Sequence, residues 1–338
     1  AEKPSCVVIP FSEAISRGEA LPRIDPYVPD DIEDTLALIY YTSGSTGTPK
    51  GVMYSEKLVK SAWAMAGEAS QTVLHYQPLN HSFGMSFIAT VTAGGGTTYF
   101  TAKSDLSMLL EDMKIVRPTM MAWVPRICEL LYLRYHSDYG DLIKTNEEEA
   151  LRRFKNEVLG GRMRNALGGS APTSDELQIF VEKVNGRKLY NGYGCTEAGG
   201  VIWVDNVVQR PPVIDYKLVD VPHLGYFTTD KPYPRGELAI KSQTMFRGYF
   251  ARPDLTARAF DEDGFYLTGD IMEERGQDRL FYLDRTNNVM KLSQGEFVPV
   301  SLLESLYAND PEIRQVYLYG NSARSFLLGV VVPNFDVL

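Results

Sequence analysis

The residues best suited to chemistry lie between Tyr41 and Gly51, a stretch rich in glycine, serine and threonine that carries one cation, Lys50. Glycines let backbone N–H groups approach phosphate oxygens, and the Ser and Thr hydroxyls add donors. The ammonium group of Lys50 supplies a compact positive charge for the outer phosphates of a nucleotide. The spacing differs from the common phosphate loop, Gly, four residues and then Gly-Lys-Ser/Thr, because a proline precedes Lys50. The composition therefore predicts a site for a polyanion.

A Ser/Gly-rich surface linker is the alternative interpretation of this stretch. The apolar run Leu36–Tyr40 before it predicts a buried strand, and Leu58–Ala66 after it predicts a helix. A linker rarely lies between two such elements, so the context favours phosphate binding.

Residues 42–51 resemble the signature loop of the acyl-adenylate-forming enzymes, which include acyl-CoA synthetases, luciferases, peptide-synthetase adenylation domains and carboxylic acid reductases. The resemblance implies that this loop holds the pyrophosphate part of ATP. The residues implied in that role are Thr42, Ser43, Gly44, Ser45, Thr46, Gly47 and Lys50.

The octapeptide from Tyr190 to Glu197 resembles the second nucleotide motif of the same enzymes. The resemblance implies that Tyr193 stacks on adenine beside Gly194, that Thr196 bonds the α-phosphate, and that Glu197 ligates Mg²⁺. A single carboxylate is sufficient because Mg²⁺ takes its other ligands from phosphate oxygens and water. The alternative is that Glu197 is only a carboxylate at the start of a helix.

Two further segments complete the implied nucleotide site. Gly168–Pro172 is poor in side chains and would accept adenine through Gly169, Ser170 and Ala171, although alone it is more typical of an ordinary tight turn. Asp270, in a Thr-Gly-Asp sequence, matches the ribose motif, since a carboxylate accepts from both sugar hydroxyls. Arg285 matches the arginine that reaches the ribose or phosphate.

His81 and Lys291 are implied to act on the acid and its acceptor. His81 lies where the resembled enzymes place a histidine or aromatic residue beside the acyl carboxylate, and its imidazole could donate to that group near neutral pH. A lone histidine is otherwise usually structural. Lys291 would lie near the nucleotide or, after rotation of the C-terminal lobe, near the thiol acceptor; alternatively it covers a turn.

The segments 225–237 and 287–298 resemble carboxylic acid reductases most, and long-chain acyl-CoA synthetases less closely. The expected function is ATP-dependent activation of a carboxylic acid to an acyl-adenylate with release of pyrophosphate. In the resembled reductases the acyl group passes to a carrier-domain phosphopantetheine, and an NADPH domain releases an aldehyde. The alternatives are a long-chain acyl-CoA synthetase, with CoA as acceptor, and a non-catalytic nucleotide-binding remnant.

The resembled enzymes also supply a lysine from the C-terminal lobe during adenylation, and no lysine follows Lys291 here. The region before the phosphate loop is short as well, so a fragment is expected. One such group contributes about 10²–10³ in rate. We therefore expect this chain, as given, to bind nucleotide better than it turns over.

The overall composition excludes other classes of function. A net charge of −9 over 338 residues, with no basic stripe, argues against nucleic acid as the main partner. No segment approaches the roughly 18 consecutive apolar residues of a membrane helix. Three widely spaced cysteines, with no zinc spacing, favour reduced thiols and a cytoplasmic location.

The alternation of predicted strands and helices from residue 35 to about 200 predicts an α/β fold with a parallel, helix-covered sheet, in which ligands bind at the carboxyl ends of strands. Short alternating runs then predict a small distorted β-barrel. We expect a connector at 1–34 with at most a short strand at 7–9, a nucleotide-binding subdomain at 35–211, a β-rich subdomain at 212–286, and a hinge with an incomplete α+β lobe at 287–338.

Overall fold

The computed structural model describes residues 9–25, 27–42, 49–64, 70–169, 173–293, 297–308, 310, 312–320 and 324–335. The expected strand at 7–9 lies almost wholly outside these residues. The segment expected to be a connector contains a helix instead, α1 (Phe11–Glu19), of which no residue is buried. An ion pair between Glu13 and Arg17, one turn apart, supports this helix locally.

The ends of the Ser/Gly-rich stretch are held together by a hairpin. β1 (Leu36–Thr42) is the predicted strand, although Tyr40 is its only buried residue; it pairs antiparallel with β2 (Lys50–Ser55), and α2 (Glu56–Ala64) follows directly. Thr42 pairs with Lys50 in the register of this hairpin. The lysine therefore begins a strand whose buried residues, Val52 and Tyr54, anchor it in the core.

The predicted helix-covered sheet is present and has seven strands in the order β4-β3-β5-β6-β7-β8-β9. The strands from β4 to β7 pair in parallel, and β8 and β9 are added antiparallel. Its core lies between the sheet and α5 and α6, around side chains such as Trp123 and Phe154. The elements are β3 (Thr72–His75), α3 (Ser82–Ala93), β4 (Thr97–Phe100), α4 (Leu109–Val116), β5 (Met120–Trp123), α5 (Pro125–Glu157), β6 (Asn165–Gly169), α6 (Asp175–Asn185), β7 (Leu189–Cys195), β8 (Gly200–Val204) and β9 (Val207–Val208).

The α6 helix shows how local sequence places the two strands that border the candidate site. The Ser174 hydroxyl accepts from the Leu177 N–H at 3.4 Å, and Asp175 and Glu176 lie in the positive first turn. Gly186 ends the helix with φ of 67°, a conformation that glycine adopts without strain. These signals turn the chain back from β6 into the parallel strand β7.

The β-rich region is an open four-stranded antiparallel sheet, where the sequence suggested a distorted barrel. Its order is β10-β11-β12-β13, so β10 and β13 are edges in the part of the chain that the structure describes. Register shifts in all three pairings supply the irregularity that the sequence indicated. The elements are β10 (Val213–Val219), β11 (Arg235–Ser242), α7 (Pro253–Arg258), β12 (Tyr266–Glu274) and β13 (Leu280–Arg285).

The C-terminal part joins two hairpins through one helix. Its elements are β14 (Val289–Lys291), β15 (Phe297–Pro299), α8 (Val300–Tyr307), β16 (Ile313–Tyr319) and β17 (Leu328–Pro333). The buried Asp284 carboxylate connects it to β13, because it accepts from the Ser301 N–H at 3.3 Å. None of the helices within the described ranges has both the length and the hydrophobicity to span a bilayer.

Candidate active site

One wall of the candidate site is formed by glycines at the ends of β6 and β7. Gly169 pairs with Gly192 in the parallel register. A Cβ on Gly169 would lie 3.0 Å from the Gly192 carbonyl oxygen, and one on Gly194 would lie 2.1 Å from the carbonyl oxygen of Gly200. Side chains are excluded at these positions by neighbouring backbone, so the surface is flat. Gly169, Gly192 and Gly194 border a cleft of about 1240 Å³.

Asp270 lies at the same cleft and contacts two other sequence-predicted residues. It is 3% exposed, and its Oδ2 accepts a hydrogen bond of 2.5 Å from the Tyr193 hydroxyl. Arg285 is its register partner on β13, and the guanidinium Nε lies 3.2 Å from Asp270 Oδ1. The Tyr193 ring stacks on Trp203 with centroids 5.3 Å apart. A tyrosine, a carboxylate and an arginine from three strands are thus brought to one place.

The electrostatic state of Asp270 favours a ligand with hydroxyl donors. Burial raises the pKa of this carboxyl above its ordinary value, while the Tyr193 hydrogen bond and the Arg285 charge oppose that rise. Oδ1 is buried and makes no hydrogen bond of good geometry despite the nearby guanidinium. A carboxylate has more lone pairs than these two contacts use, so Asp270 can also accept from hydroxyl donors of a ligand in the cleft. Two vicinal sugar hydroxyls would supply hydrogen-bond donors for this carboxylate, which as an anion can only accept.

The turn that presents Asp270 is held by a second carboxylate. The Gly269 N–H donates to Glu237 Oε1 at 2.9 Å, and Gly269 has φ of 73°. Burial raises the pKa of Glu237, and the charge of Asp270 adds to that rise. Glycine is needed here because a side chain is strained at this φ.

The second group of predicted residues, Lys50 and Glu197, is joined by a tyrosine. The Lys50 ammonium donates to the Tyr249 hydroxyl at 3.4 Å and lies 4.8 Å from the ring centroid. The Tyr249 hydroxyl donates in turn to Glu197 Oε1 at 2.9 Å. Glu197 is 7% exposed and is the second residue after β7. The loop cation and the predicted metal carboxylate are therefore neighbours, although 147 positions separate them in the sequence (197 − 50).

Thr196 and His81 meet at the start of α3. The Thr196 hydroxyl lies 3.2 Å from the Ser82 hydroxyl, and the Thr196 carbonyl accepts from the Tyr54 hydroxyl at 2.7 Å. His81 is the N-cap of α3, where its Nδ1 accepts from the Phe83 N–H at 3.3 Å. Desolvation lowers the pKa of this imidazole, so it is neutral at pH 7 and its Nε2–H remains a donor. The histidine thus has a structural contact, as the simpler interpretation expected, and a second nitrogen left for a ligand.

Several predicted residues lie outside the described part of the chain. These are Ser43, Gly44, Ser45, Thr46, Gly47, Ser170 and Ala171, and the side chain of Lys291 is likewise not described. Thr42, which is described, pairs with Lys50 at the mouth of the hairpin. Their roles stay predictions.

β7 and the residues that follow it link the two groups along the chain, although Lys50, Thr196 and Glu197 do not line the cleft themselves. Tyr193 and Gly194 face the cleft, and Thr196 and Glu197 follow within three residues. The charge of Glu197 also contributes to the raised pKa of Asp270. Sequence reasoning missed Tyr249 and Trp203. For Tyr249 the available sequence signal was Gly248 immediately before it, which adopts φ of 130° in the structure. No sequence signal marked Trp203.

The donor set suits a hard cation. Glu197 and Thr196 supply a carboxylate and a hydroxyl, and Mg²⁺ takes one or two carboxylates with phosphate and water oxygens. Within the described ranges, no cluster of three or more His, Cys, Asp or Glu side chains could hold a metal by itself.

Comparison with known proteins gives close matches over nearly the whole chain. The family described as AMP-binding enzyme matches residues 2–250. A carboxylic acid reductase of Mycobacterium tuberculosis (strain ATCC 25618 / H37Rv) is 50% identical over 99% of this chain, and the match covers 30% of that reductase. The chain therefore spans less than a third of that relative.

Solved structures of a second reductase match the fold. The A domain of the carboxylic acid reductase from Segniliparus rugosus, in complex with AMP and a co-purified carboxylic acid, has a TM-score of 0.89 at 47% identity, covering 96% of this chain and 53% of that one. The A-PCP didomain from the same organism, in complex with AMP, has a TM-score of 0.88 at 47% identity, covering 96% and 46%.

Proposed function

The chain belongs to the AMP-binding enzyme family, and from this premise we propose that it is the adenylation unit of a carboxylic acid reductase. The carboxylate of an acid attacks the α-phosphate of ATP, pyrophosphate leaves, and an acyl-adenylate forms. The observation that supports this most is the buried Asp270 carboxylate at the cleft, held between Tyr193 and Arg285. The relatives at 47–50% identity are reductases or their A domains, which favours this acid-activating class.

Each proposed role follows from the chemistry of a side chain. Asp270 accepts from the ribose hydroxyls, and Arg285 lies beside it to meet ribose or phosphate oxygens. The glycine wall and Tyr193 bind the adenine face. Lys50, with the hydroxyls of its loop, stabilises the departing pyrophosphate, so the site works by positioning and charge neutralisation.

Thr196 and His81 act on either side of the reacting bond in this proposal. The Thr196 hydroxyl donates to the α-phosphate, and His81 Nε2 donates to the acid carboxylate while Nδ1 continues to cap α3. Glu197 would hold Mg²⁺, which when bound supplies positive charge to the phosphates. Lys291 is proposed for the later transfer to a thiol.

The acyl acceptor is proposed to be the phosphopantetheine of a carrier domain, since one matched structure is an A-PCP didomain. NADPH reduction would then occur on a further domain of the whole protein. Free CoA is the competing acceptor. The cysteines support a reducing, cytoplasmic setting for these steps.

The test is acid-dependent exchange of pyrophosphate into ATP, together with calorimetry using a non-hydrolysable acyl-adenylate analogue. We expect analogue binding that is lost in Asp270→Ala, and exchange that is lost in Lys50→Ala. Transfer to a phosphopantetheinylated carrier domain rather than to CoA would support the reductase. Analogue binding with no exchange for any acid would support a non-catalytic nucleotide-binding protein or a truncated adenylation unit, and absence of both would contradict the proposal.

A further inference from the structure

The Tyr249 ring is fixed in place from two sides. Its residue forms a β-bridge with Val52 of β2, and its backbone N–H donates to the Thr256 hydroxyl of α7 at 2.9 Å. The following N–H, of Phe250, donates to the Gly51 carbonyl at 2.7 Å. The strand that begins with Lys50 therefore also anchors the tyrosine, which is 4% exposed.

The phenol hydroxyl lies between two opposite charges. Lys50 Nζ and Glu197 Oε1 each contact Tyr249 Oη, at 3.4 and 2.9 Å. The ion pairs within 4.0 Å among the described residues do not include Lys50 with Glu197. An ammonium and a buried carboxylate attract each other, and the phenol hydroxyl that contacts both lies between them.

We propose that Tyr249 is a positioning residue for adenylation: its hydroxyl holds Glu197 oriented for the metal and prevents a direct ion pair between Glu197 and Lys50. This inference rests on the proposed function. By occupying Oε1, the phenol leaves Oε2 for a cation, and it leaves the Lys50 ammonium to face the phosphates. A direct Lys50–Glu197 pair would neutralise both groups before the substrate arrives.

The hydroxyl is suited to this position because it stays protonated. The ordinary pKa of a tyrosine phenol is about 10, well above neutral pH. The phenol is therefore a permanent donor at neutral pH. Hydrogen-bond partners that orient metal ligands typically change metal affinity by about 10–100-fold when removed.

The test compares Tyr249→Phe with the wild-type chain in ATP binding at graded Mg²⁺ concentrations, without acid, so that turnover is not needed. We expect the Mg²⁺ concentration for half-maximal ATP binding to rise about tenfold or more. Adenosine affinity should stay within about twofold, because the cleft around Asp270 is unchanged. Pyrophosphate exchange should fall in parallel with the Mg²⁺ effect.

Tyr216→Phe is the matched control. Tyr216 on β10 donates to the Glu274 carboxylate on β12 at 2.7 Å. Both strands belong to the antiparallel sheet that carries Asp270, and neither residue lines the cleft. The Tyr216→Phe substitution removes a Tyr–Glu hydrogen bond of the same kind as Tyr249→Phe does. It should leave the Mg²⁺ dependence of ATP binding unchanged.

Lys50→Met provides a second variant if Tyr249→Phe does not fold. With Tyr249 present, loss of Lys50 should lower exchange while the half-maximal Mg²⁺ concentration stays the same or falls. A rise in that concentration for Lys50→Met, or an unchanged value for a folded Tyr249→Phe, would overturn the role of the tyrosine. Wild-type Mg²⁺-dependent ATP binding with neither exchange nor analogue binding would contradict the proposed function alone, whereas ATP binding that is insensitive to Mg²⁺ would overturn the tyrosine inference.

Discussion

Replacing Asp270 with asparagine should weaken adenosine binding and leave the fold as stable as before, or more stable. Adenosine is the best probe because it presents the ribose hydroxyls without a titrating phosphate. Hydrogen bonds to a charged acceptor contribute about 1.5–3 kcal/mol, and those to a neutral acceptor about 0.5–1.5 kcal/mol. The difference for one or two ribose hydroxyls is about 1–2 kcal/mol, or roughly 5–30-fold in Kd.

The expected effect on stability has the opposite sign because Asp270 is costly to bury as an anion. Its folded pKa is raised, so the unfolded chain favours the ionised form more than the native protein does. Asparagine removes that penalty and keeps an acceptor for Tyr193. The lost ion pair with Arg285 contributes about 0.2–1 kcal/mol, since the Arg285 side chain is 63% exposed.

The pH dependence of the stability difference between the wild type and Asp270→Asn follows from the raised pKa of Asp270. At any pH above both the folded and the unfolded pKa of Asp270, the penalty is fully present in the wild type. As the pH falls through the raised folded pKa, the native carboxyl takes up a proton and the penalty disappears. The stability advantage of Asp270→Asn should therefore shrink on acidification, as measured by urea unfolding.

Asp284→Asn is the matched control, because Asp284 lies on β13, the strand that pairs with the β12 strand of Asp270. Asp284 is fully buried, and its oxygens accept from the backbone N–H groups of Arg285 at 2.7 Å and Ser301 at 3.3 Å. This substitution should lower stability by about 1–3 kcal/mol with little change in adenosine affinity. An Asp270→Asn protein with wild-type adenosine affinity, or with a stability loss like that of Asp284→Asn, would refute the reasoning.

Three further substitutions test other parts of the site. Lys50→Met should reduce pyrophosphate exchange by about 10²–10³ while adenosine affinity in calorimetry is unchanged; equal losses of both would place the lysine elsewhere. Gly194→Ala should lower the thermal midpoint sharply or prevent folding, because its Cβ would lie 2.1 Å from the Gly200 carbonyl oxygen, whereas Gly192→Ala, with no neighbour nearer than 3.7 Å, should fold normally. His81→Asn should preserve α3 because asparagine is also a good N-cap, and His81→Ala should cost about 0.5–2 kcal/mol in urea unfolding; equal exchange activity in the wild type and His81→Asn would limit the histidine to capping.

Local sequence was sufficient for the identities of the elements that carry the site. The apolar run before the Ser/Gly-rich stretch is β1, and the alternation of strands and helices is the seven-stranded sheet. These features depend on periodicity and on glycine or capping signals within a few residues, which a sequence displays directly. The α1 helix was missed because its support, a single ion pair, is weak and it has no buried face.

The antiparallel region shows where local signals are insufficient. Short alternating runs indicate strands but not whether the first and last strands pair, and here the sheet stays open with β10 and β13 at its edges. Closure depends on twist and register summed over all strands, which no single run encodes. The boundaries proposed for the subdomains remain predictions.

By itself, the sequence determined which side chains are available: a lysine at the end of a Ser/Gly-rich stretch, a glutamate after a glycine-rich strand, and an aspartate in a Thr-Gly-Asp sequence. Only the tertiary structure decided their partners. Tyr193 reaches Asp270 across 77 positions, and Lys50 reaches Tyr249 across 199. Strand order and register decide which residues far apart in the sequence come into contact. Both follow from how the whole core packs.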